Sequence, residues 1–238
     1  MMVLDASVPS TDTPQNLRFR TRIGGDEAEL VQEFLGTGLQ APRRGQSRTV
    51  FVEPAVETGY PDVVVVYSNI RTMEQWVPER GDLTNADLRL LHLLTTCGPW
   101  PLGQITEIAG PESPESLRRL VAADLVYRRG ITWHARSLRK SFALRKLVAI
   151  EAKVASWRRG LRQAVKNTWF ASESYLLVPT AEEGSEVFDE ARRLGVGILM
   201  PDDSLARASL KATKASLPRS YASWQFNEWA WKTANQQE

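Results

Sequence analysis

The chain has 238 residues, 42% of them hydrophobic and 24% charged, with a formal net charge of +2. That is room for one large domain or two small ones around a packed core, and no apolar run approaches the roughly 20 residues of a membrane-spanning helix. The one cysteine, Cys97, excludes an intrachain disulfide and any multi-cysteine zinc site, so a cytoplasmic protein is expected.

Residues 1–16 carry Ser, Thr, Asp and Pro with neither a basic nor an apolar stretch, and read as a flexible tail instead of a signal peptide. An acidic amphipathic helix is predicted over 26–35. Leu30, Val31, Phe34 and Leu35 form its buried face, with Gly24-Gly25 before it and Gly36 after it. Residues 49–52 and 62–67 read as paired strands joined by a turn around Gly59, and the four valines from Val63 to Val66 predict a strand buried on both faces.

Residues 81–136 change character. Thr84 with Asp87 three positions on reads as a helix cap, followed by Leu88, Leu91 and Leu94 at helical spacing. A second helix is predicted over 102–109, with Ile105 and Ile108 inward and Gly110 ending it. The third starts with Ser113 as cap and Pro114 in its first turn, and turns Leu117, Leu120 and Val121 inward. Leu125-Val126-Tyr127, the turn Arg128-Arg129-Gly130 and Ile131-Thr132-Trp133 then read as a hairpin. Three helices and a hairpin in this order resemble a winged helix-turn-helix module. The resemblance implies a third helix exposing Arg118 and Arg119 to a DNA groove and a wing tip bringing Arg128 and Arg129 to phosphate.

Beyond this segment the chain alternates a strand over 147–154, a helix over 156–170, a strand over 175–178, a helix over 186–194 and a strand over 197–200. Near the C-terminus Tyr221, Trp224 and Trp231 fall on one helical stripe, with Phe226 and Trp229 nearby. Such a stripe predicts docking onto the body of the protein, with base stacking or a dimer contact as the other readings. Between Arg118 and Lys166 fourteen Lys and Arg face two carboxylates, a surplus of twelve positive charges against ten negative elsewhere. The block includes Arg158, Arg159 and Arg162, and it predicts a polyanionic partner unless these side chains only solvate helix faces.

The chemistry centres on two short motifs. Pro61-Asp62 opens the valine strand, and Glu151-Ala152-Lys153 closes the run Leu147 to Ile150. A strand alternates its faces, so Glu151 and Lys153 project together while Ala152 points away. If Asp62 heads the neighbouring strand, two carboxylates and an ammonium converge. Hard cations such as Mg²⁺ or Mn²⁺ prefer oxygen ligands, here Asp62, Glu151 and the Ala152 carbonyl, and such an ion neutralises phosphate and lowers the pKa of an attacking water. Lys153 would orient that water or balance charge on phosphorus. Glu27 shares the face of Leu30 and Val31 and is the candidate third carboxylate; Glu29 and Glu33 are expected in solvent, while Glu53 or Glu57 could join the metal shell. His92 is expected at the core edge and His134 in packing or at phosphate. No zinc-protease, Walker or nucleophile-elbow motif occurs.

The order helix, two strands, acidic strand, helix, strand, carrying Asp62 and Glu151-Ala152-Lys153, resembles the PD-(D/E)xK nuclease superfamily. Trp157, Leu161, Gln163-Ala164 and Tyr175 extend the likeness, which covers about residues 26–67 and 147–200. It implies a restriction-endonuclease-like α/β fold, a mixed central sheet flanked by helices, with Gln163 facing the site. Asp62 and Glu151 stand 89 positions apart, further than the family usually separates them, and the inserted module accounts for the excess. The expected organisation is a tail (1–16), the first part of a nuclease core (17–80), the insert (81–136) and the second part of the core (137–238). A metal-dependent DNA endonuclease is the leading reading, and a homodimer would suit cutting two strands. A non-catalytic DNA-binding protein on the same scaffold is the alternative, and a protein-interaction role for the insert the third.

Overall fold

Val63 to Val66 lie at the centre of the molecule without solvent exposure. The reason is visible in the computed structural model, which describes residues 2–6, 17–21 and 24–235. The first elements are β1 (Met2–Leu4), α1 (Asp26–Thr37), β2 (Gln46–Val52), β3 (Val63–Asn69) and α2 (Ile70–Met73). A 3₁₀ turn (Pro78–Asp82) leads to α3 (Asn85–Cys97), β4 (Trp100–Pro101), α4 (Leu102–Ala109), α5 (Ser113–Ala122), β5 (Val126–Arg129) and β6 (Thr132–Ala135). The chain then forms α6 (Leu138–Ser141), β7 (Leu144–Ala152), α7 (Trp157–Asn167), β8 (Glu173–Leu177), α8 (Glu186–Leu194), β9 (Gly197–Leu199) and α9 (Tyr221–Asn235).

Six strands make one mixed sheet in the order β1-β2-β3-β7-β8-β9. β3 pairs antiparallel with both β2 and β7, while β1 joins β2, β8 joins β7 and β9 joins β8 in parallel. The protein is therefore mixed α/β, with helices flanking a central mixed sheet. Strand alternation sends Val63 and Val65 toward Leu30, Val31 and Phe34 of α1, and Val64 and Val66 toward Phe51, Leu147 and the aromatic residues of α9. Burying each such side chain contributes about 1.5–3 kcal/mol, so four in a row make β3 the axis of the core.

The segment between β3 and β7 adds a small sheet, β4-β6-β5, with α3, α4 and α5 around it. Thr84 and Asp87 form the expected capping box at the start of α3. Leu88, Leu91, Leu94, Leu117 and Leu120 join one apolar core with Val64, Val66 and Leu147, and α9 lies between them and the sheet. Eleven of the fifteen residues of α9 are buried, so it is an internal helix and not one docked along a single stripe. Trp224 meets Phe142 edge-on at 4.9 Å, Phe226 stacks on Phe170 at 5.4 Å, and Trp231 faces Trp76 at 6.1 Å. The tryptophans and Phe226 are thus occupied inside the protein and not presented to bases or to a second copy.

A buried ion pair ties α9 to the turn before α3. Arg80 is 1% exposed; its Nε and Nη2 donate to Glu228 at 2.9 and 2.6 Å, and Nη2 also reaches the Ser141 carbonyl at 3.0 Å. Its guanidinium lies 3.5 Å from the centre of the Trp76 ring.

Several sequence expectations shift. Met2–Leu4 is a strand, with Leu4 fully buried, where a tail was expected; residues 7–16 lie outside the described residues. Gly36 falls within α1, which runs on to Thr37 and is capped by Gly38. Ile108 and Val121 are exposed at 59% and 45%, because α4 buries only Ile105 and the inner stripe of α5 is Ser113, Ser116, Leu117 and Leu120. Ser113 does not cap α5: it is the first helical residue, and its hydroxyl donates to the Gly110 carbonyl at 2.6 Å. The hairpin reverses one step later than expected, with Arg129 opposite Thr132 and Gly130 at φ +61° in the turn.

Replacing Arg80 with Met leaves the Glu228 carboxylate buried without its partner. The expected loss is roughly 3–5 kcal/mol of unfolding free energy by urea titration, much of it recovered when Glu228 is also made Met.

Candidate functional site

The antiparallel register of β3 and β7 sets Val63 opposite Ile150, so Asp62, just before β3, meets the end of β7. The Ala152 amide donates to Asp62 Oδ2 at 2.7 Å, a buried bond between residues 90 positions apart. On the other side of β3, the Glu53 amide donates to the Asp62 carbonyl at 3.0 Å. Glu53 is itself 3% exposed, sits at φ +55°, and pairs with Arg20. A left-handed backbone at a side-chain-bearing residue costs of order 1 kcal/mol and persists only where its surroundings fix it, here two backbone bonds and an ion pair.

Glu151 lies below these groups on the face covered by α7. That helix presents Gly160, Gln163, Ala164 and Asn167 along one stripe toward β7 and β8. Gly160 permits the approach: a Cβ there would stand 2.4 Å from Lys153 Cγ and 2.6 Å from Leu176 Cδ1. Asn167 Nδ2 donates to Glu151 Oε1 at 2.7 Å, while Glu151 Oε2 and Gln163 Oε1 are buried with no hydrogen-bond partner. Lys153 crosses α7 at Gly160 and its Nζ donates to Glu27 Oε2 at 2.7 Å.

A cleft of about 770 Å³ opens over this end of the sheet, lined by Arg20, Glu27, Glu53, Asp62, Lys153, Arg159 and Gln163 among others. Burial pushes the Glu151 carboxyl up to about 8, helped by the negative charges of Asp62 and Glu53 and opposed by Asn167 and Lys153. A cation among these carboxylates would remove that repulsion. The donor set, hard oxygens from Asp62 and Glu151 with Glu53 beside them, suits Mg²⁺ or Mn²⁺ in kind. Among the described residues, however, no three of His, Cys, Asp or Glu already form a closed metal-holding group.

Asp62, Glu151, Lys153, Gln163 and Glu27 therefore gather at one end of the sheet. Glu27 arrives as the counter-ion of Lys153. Glu29 and Glu33 are exposed as expected. Glu57 is elsewhere: it pairs with Arg89 at 3.3 Å and accepts from the Tyr221 hydroxyl, so it takes no part in the cleft. Sequence reasoning missed Asn167 and Arg20. Asn167 follows Gln163 by four on a face otherwise made of Gly, Leu and Ala, and two amides on the buried stripe of an amphipathic helix are the signal that was present.

The basic residues divide. Arg128 and Arg129 are exposed at the hairpin, and Arg118 is exposed on α5 with a bond to Glu115. Arg119 is not the free side chain expected; it forks onto buried Asp87 at 2.8 and 2.9 Å and ties α5 to the start of α3. Burial would raise the Asp87 carboxyl, but the bonds from Arg119, Thr84 and Ser116 outweigh it and hold the group below its ordinary range. Arg158 pairs with Glu186 and lies 4.4 Å from the Trp157 ring, Arg159 opens onto the cleft, and Arg162 is exposed on α7. His92 is half-buried at the core edge and its pKa is lowered by burial. His134 stacks on Tyr127 at 5.2 Å and shares a 2.9 Å hydrogen bond with Thr132, a packing role. No described helix is long and apolar enough to cross a membrane.

The Glu151 shift makes a pH prediction. A carboxyl moved from 4.5 in the unfolded chain to about 8 in the fold binds more protons when native, so it favours folding fully below pH 4.5 and loses that contribution as pH rises through 8. In EDTA, Glu151→Gln should flatten the fall in melting temperature between pH 5 and pH 8; an unchanged slope would show that Glu151 ionises freely. Compared with protein-family models, curated proteins and solved structures, this chain has no match in any of the three.

Proposed function

We propose that this protein is a divalent-metal-dependent endonuclease that hydrolyses DNA phosphodiester bonds, built on a restriction-endonuclease-like core with an inserted winged helix. The observation that carries the reading is the gathering of Asp62, Lys153 and Gln163 at one cleft over buried Glu151, with one buried oxygen of Glu151 and one of Gln163 unpartnered. Asp62 and Glu151 would hold the metal, with the Ala152 carbonyl as a further oxygen. The metal would supply a water of lowered pKa and charge neutralisation at phosphorus. Lys153, whose ammonium is held by Glu27, would orient the attacking water or balance charge on phosphorus. Gln163, four residues before the Asn167 that holds Glu151, would offer its amide to the same water.

Support for the insert comes from its order of elements, α3, β4, α4, α5, β5, β6, which is that of a winged helix. In that reading Arg118 on α5 and Arg128 and Arg129 at the hairpin contact the duplex, with Arg159 nearer the scissile phosphate. Arg119 serves the fold and not the DNA.

A second reading has its own observation. Asp62 Oδ2 is already engaged by the Ala152 amide, and no closed metal-holding group exists among the described residues. A non-catalytic DNA-binding protein on this scaffold would look the same. Incubating the protein with supercoiled and linear DNA in Mg²⁺ or Mn²⁺ separates the two. The endonuclease gives nicked and linear products that EDTA abolishes, and Asp62→Ala or Lys153→Ala should lower the rate at least about 100-fold. DNA binding without cleavage under any of these metals would establish the second reading instead.

A further inference from the structure

At the opposite end of the sheet the chain gathers a second set of charges. β2, β7 and β8 begin there, and with residues 40–45 and 214–215 they enclose a cavity of about 270 Å³. Four cations line it, Arg43, Arg145, Lys146 and Lys214, against one carboxylate, Glu173. Glu173 is fully engaged: it is buried, pairs with Lys146 at 2.9 Å, and accepts from the Tyr175 hydroxyl at 2.9 Å. Among the described residues no ion pair joins Arg43, Arg145 or Lys214 to a carboxylate.

The walls are held by backbone bonds, so the cations are not on loose ends. Tyr67 Oη and Arg48 Nη1 both donate to the Gln40 carbonyl, at 2.9 and 2.7 Å, and the Gln46 amide donates to Arg43 O at 2.9 Å. Across the cavity the Ala215 amide donates to Ser172 O at 2.9 Å, and the Ser172 hydroxyl bonds the Leu147 carbonyl and amide, each at 2.9 Å. Three like charges held around one concavity repel one another, and a recess lined by one sign of charge focuses the field within it. A single carboxylate would leave two of the three uncompensated, whereas a phosphate monoester brings about two negative charges and three oxygens for two guanidinium forks and an ammonium.

We propose that this cavity binds a terminal phosphate group, carried either by a free mononucleotide or by the end of an oligonucleotide. The site is separate from the acidic cleft: Lys146 and Glu151 are five residues apart on β7, about 17 Å at the strand rise. It does not depend on the endonuclease reading.

Isothermal titration of the full chain in EDTA tests it. The probes are pyrophosphate, a mononucleoside 5′-phosphate, the matching nucleoside, and a hexanucleotide with and without a 5′-phosphate. Saturable binding of the phosphate-bearing probes is expected, with none for the nucleoside. The exposed pair Arg145→Glu and Lys214→Glu should weaken it at least about tenfold, and Arg43→Ala alone about threefold, with melting temperatures near wild type. Preference for the mononucleotide or for the phosphorylated hexamer identifies the source, and either supports the site. Phosphate probes that bind no better than the nucleoside, affinity indifferent to the charge reversal, or equal loss on Asp62→Ala would each overturn the proposal.

Discussion

The antiparallel pairing of β3 with β7 is the constraint on which the rest depends. These strands are joined through the whole of α2 to α6, yet Val63 and Ile150 sit opposite each other and the Ala152 amide closes on Asp62. Loop closure grows only logarithmically with length, about 0.6 kcal/mol for each doubling, so a long excursion costs little more than a short one. Register is far stricter. A slip of one residue would turn Val64 and Val66 from the α9 face to the α1 face and swing Glu151 away from Asn167. The pairing that builds the core is therefore the same pairing that assembles the acidic cleft.

Charge is partitioned by the fold in a way that the linear order conceals. The surplus of twelve between Arg118 and Lys166 is reduced by partners from distant segments: Asp87 for Arg119, Glu173 for Lys146, Glu27 for Lys153 and Glu186 for Arg158. These pairs fix helices to one another and to the sheet. The basic groups left over concentrate on the hairpin, on the open side of α7, and around the cavity beside Glu173. Carboxylates outnumber cations at the other end of the sheet, where Arg20 serves both Glu53 and Asp62 and their negative charges act on Glu151.

What the sequence made legible follows from which physics is local. The valine run, the Thr84–Asp87 capping box and the leucine spacing of α3 depend on neighbours within a few residues, and they appear as expected. The approach of Asp62 to Glu151 was readable because both motifs sit at strand ends whose direction is fixed by the hairpin-like return. Arg119, Ile108 and Val121 were misread because their surroundings come from other elements: a buried Asp87 on α3 for the first, and the absence of any covering element for the other two. The C-terminal helix was underestimated for the same reason. A stripe of Tyr221, Trp224 and Trp231 describes one face, but the cavity between the sheet and α3 also takes up Phe226, Trp229, Asn227 and Glu228. Arg80 gave no local sign at all, since its partner lies 148 positions away.

Buried polar groups in this protein fall into two kinds. Arg80 with Glu228, Asp87 with Arg119, and Asn227 with the Ala143 amide at 2.8 Å are satisfied by their neighbours, and such networks fix how elements pack. Two groups beside the cleft are not: Glu151 keeps one oxygen unpartnered and Gln163 likewise, while Glu53, paired with Arg20, holds a backbone conformation unfavourable to its residue type. An unsatisfied buried oxygen costs about 1–3 kcal/mol, and an apolar residue at position 151 would pack against Leu176 and α7 without that cost. Stability alone gives no reason for a carboxylate there. A cation of the kind proposed above would give one, because it would offset the negative charge that Asp62 and Glu53 exert on Glu151.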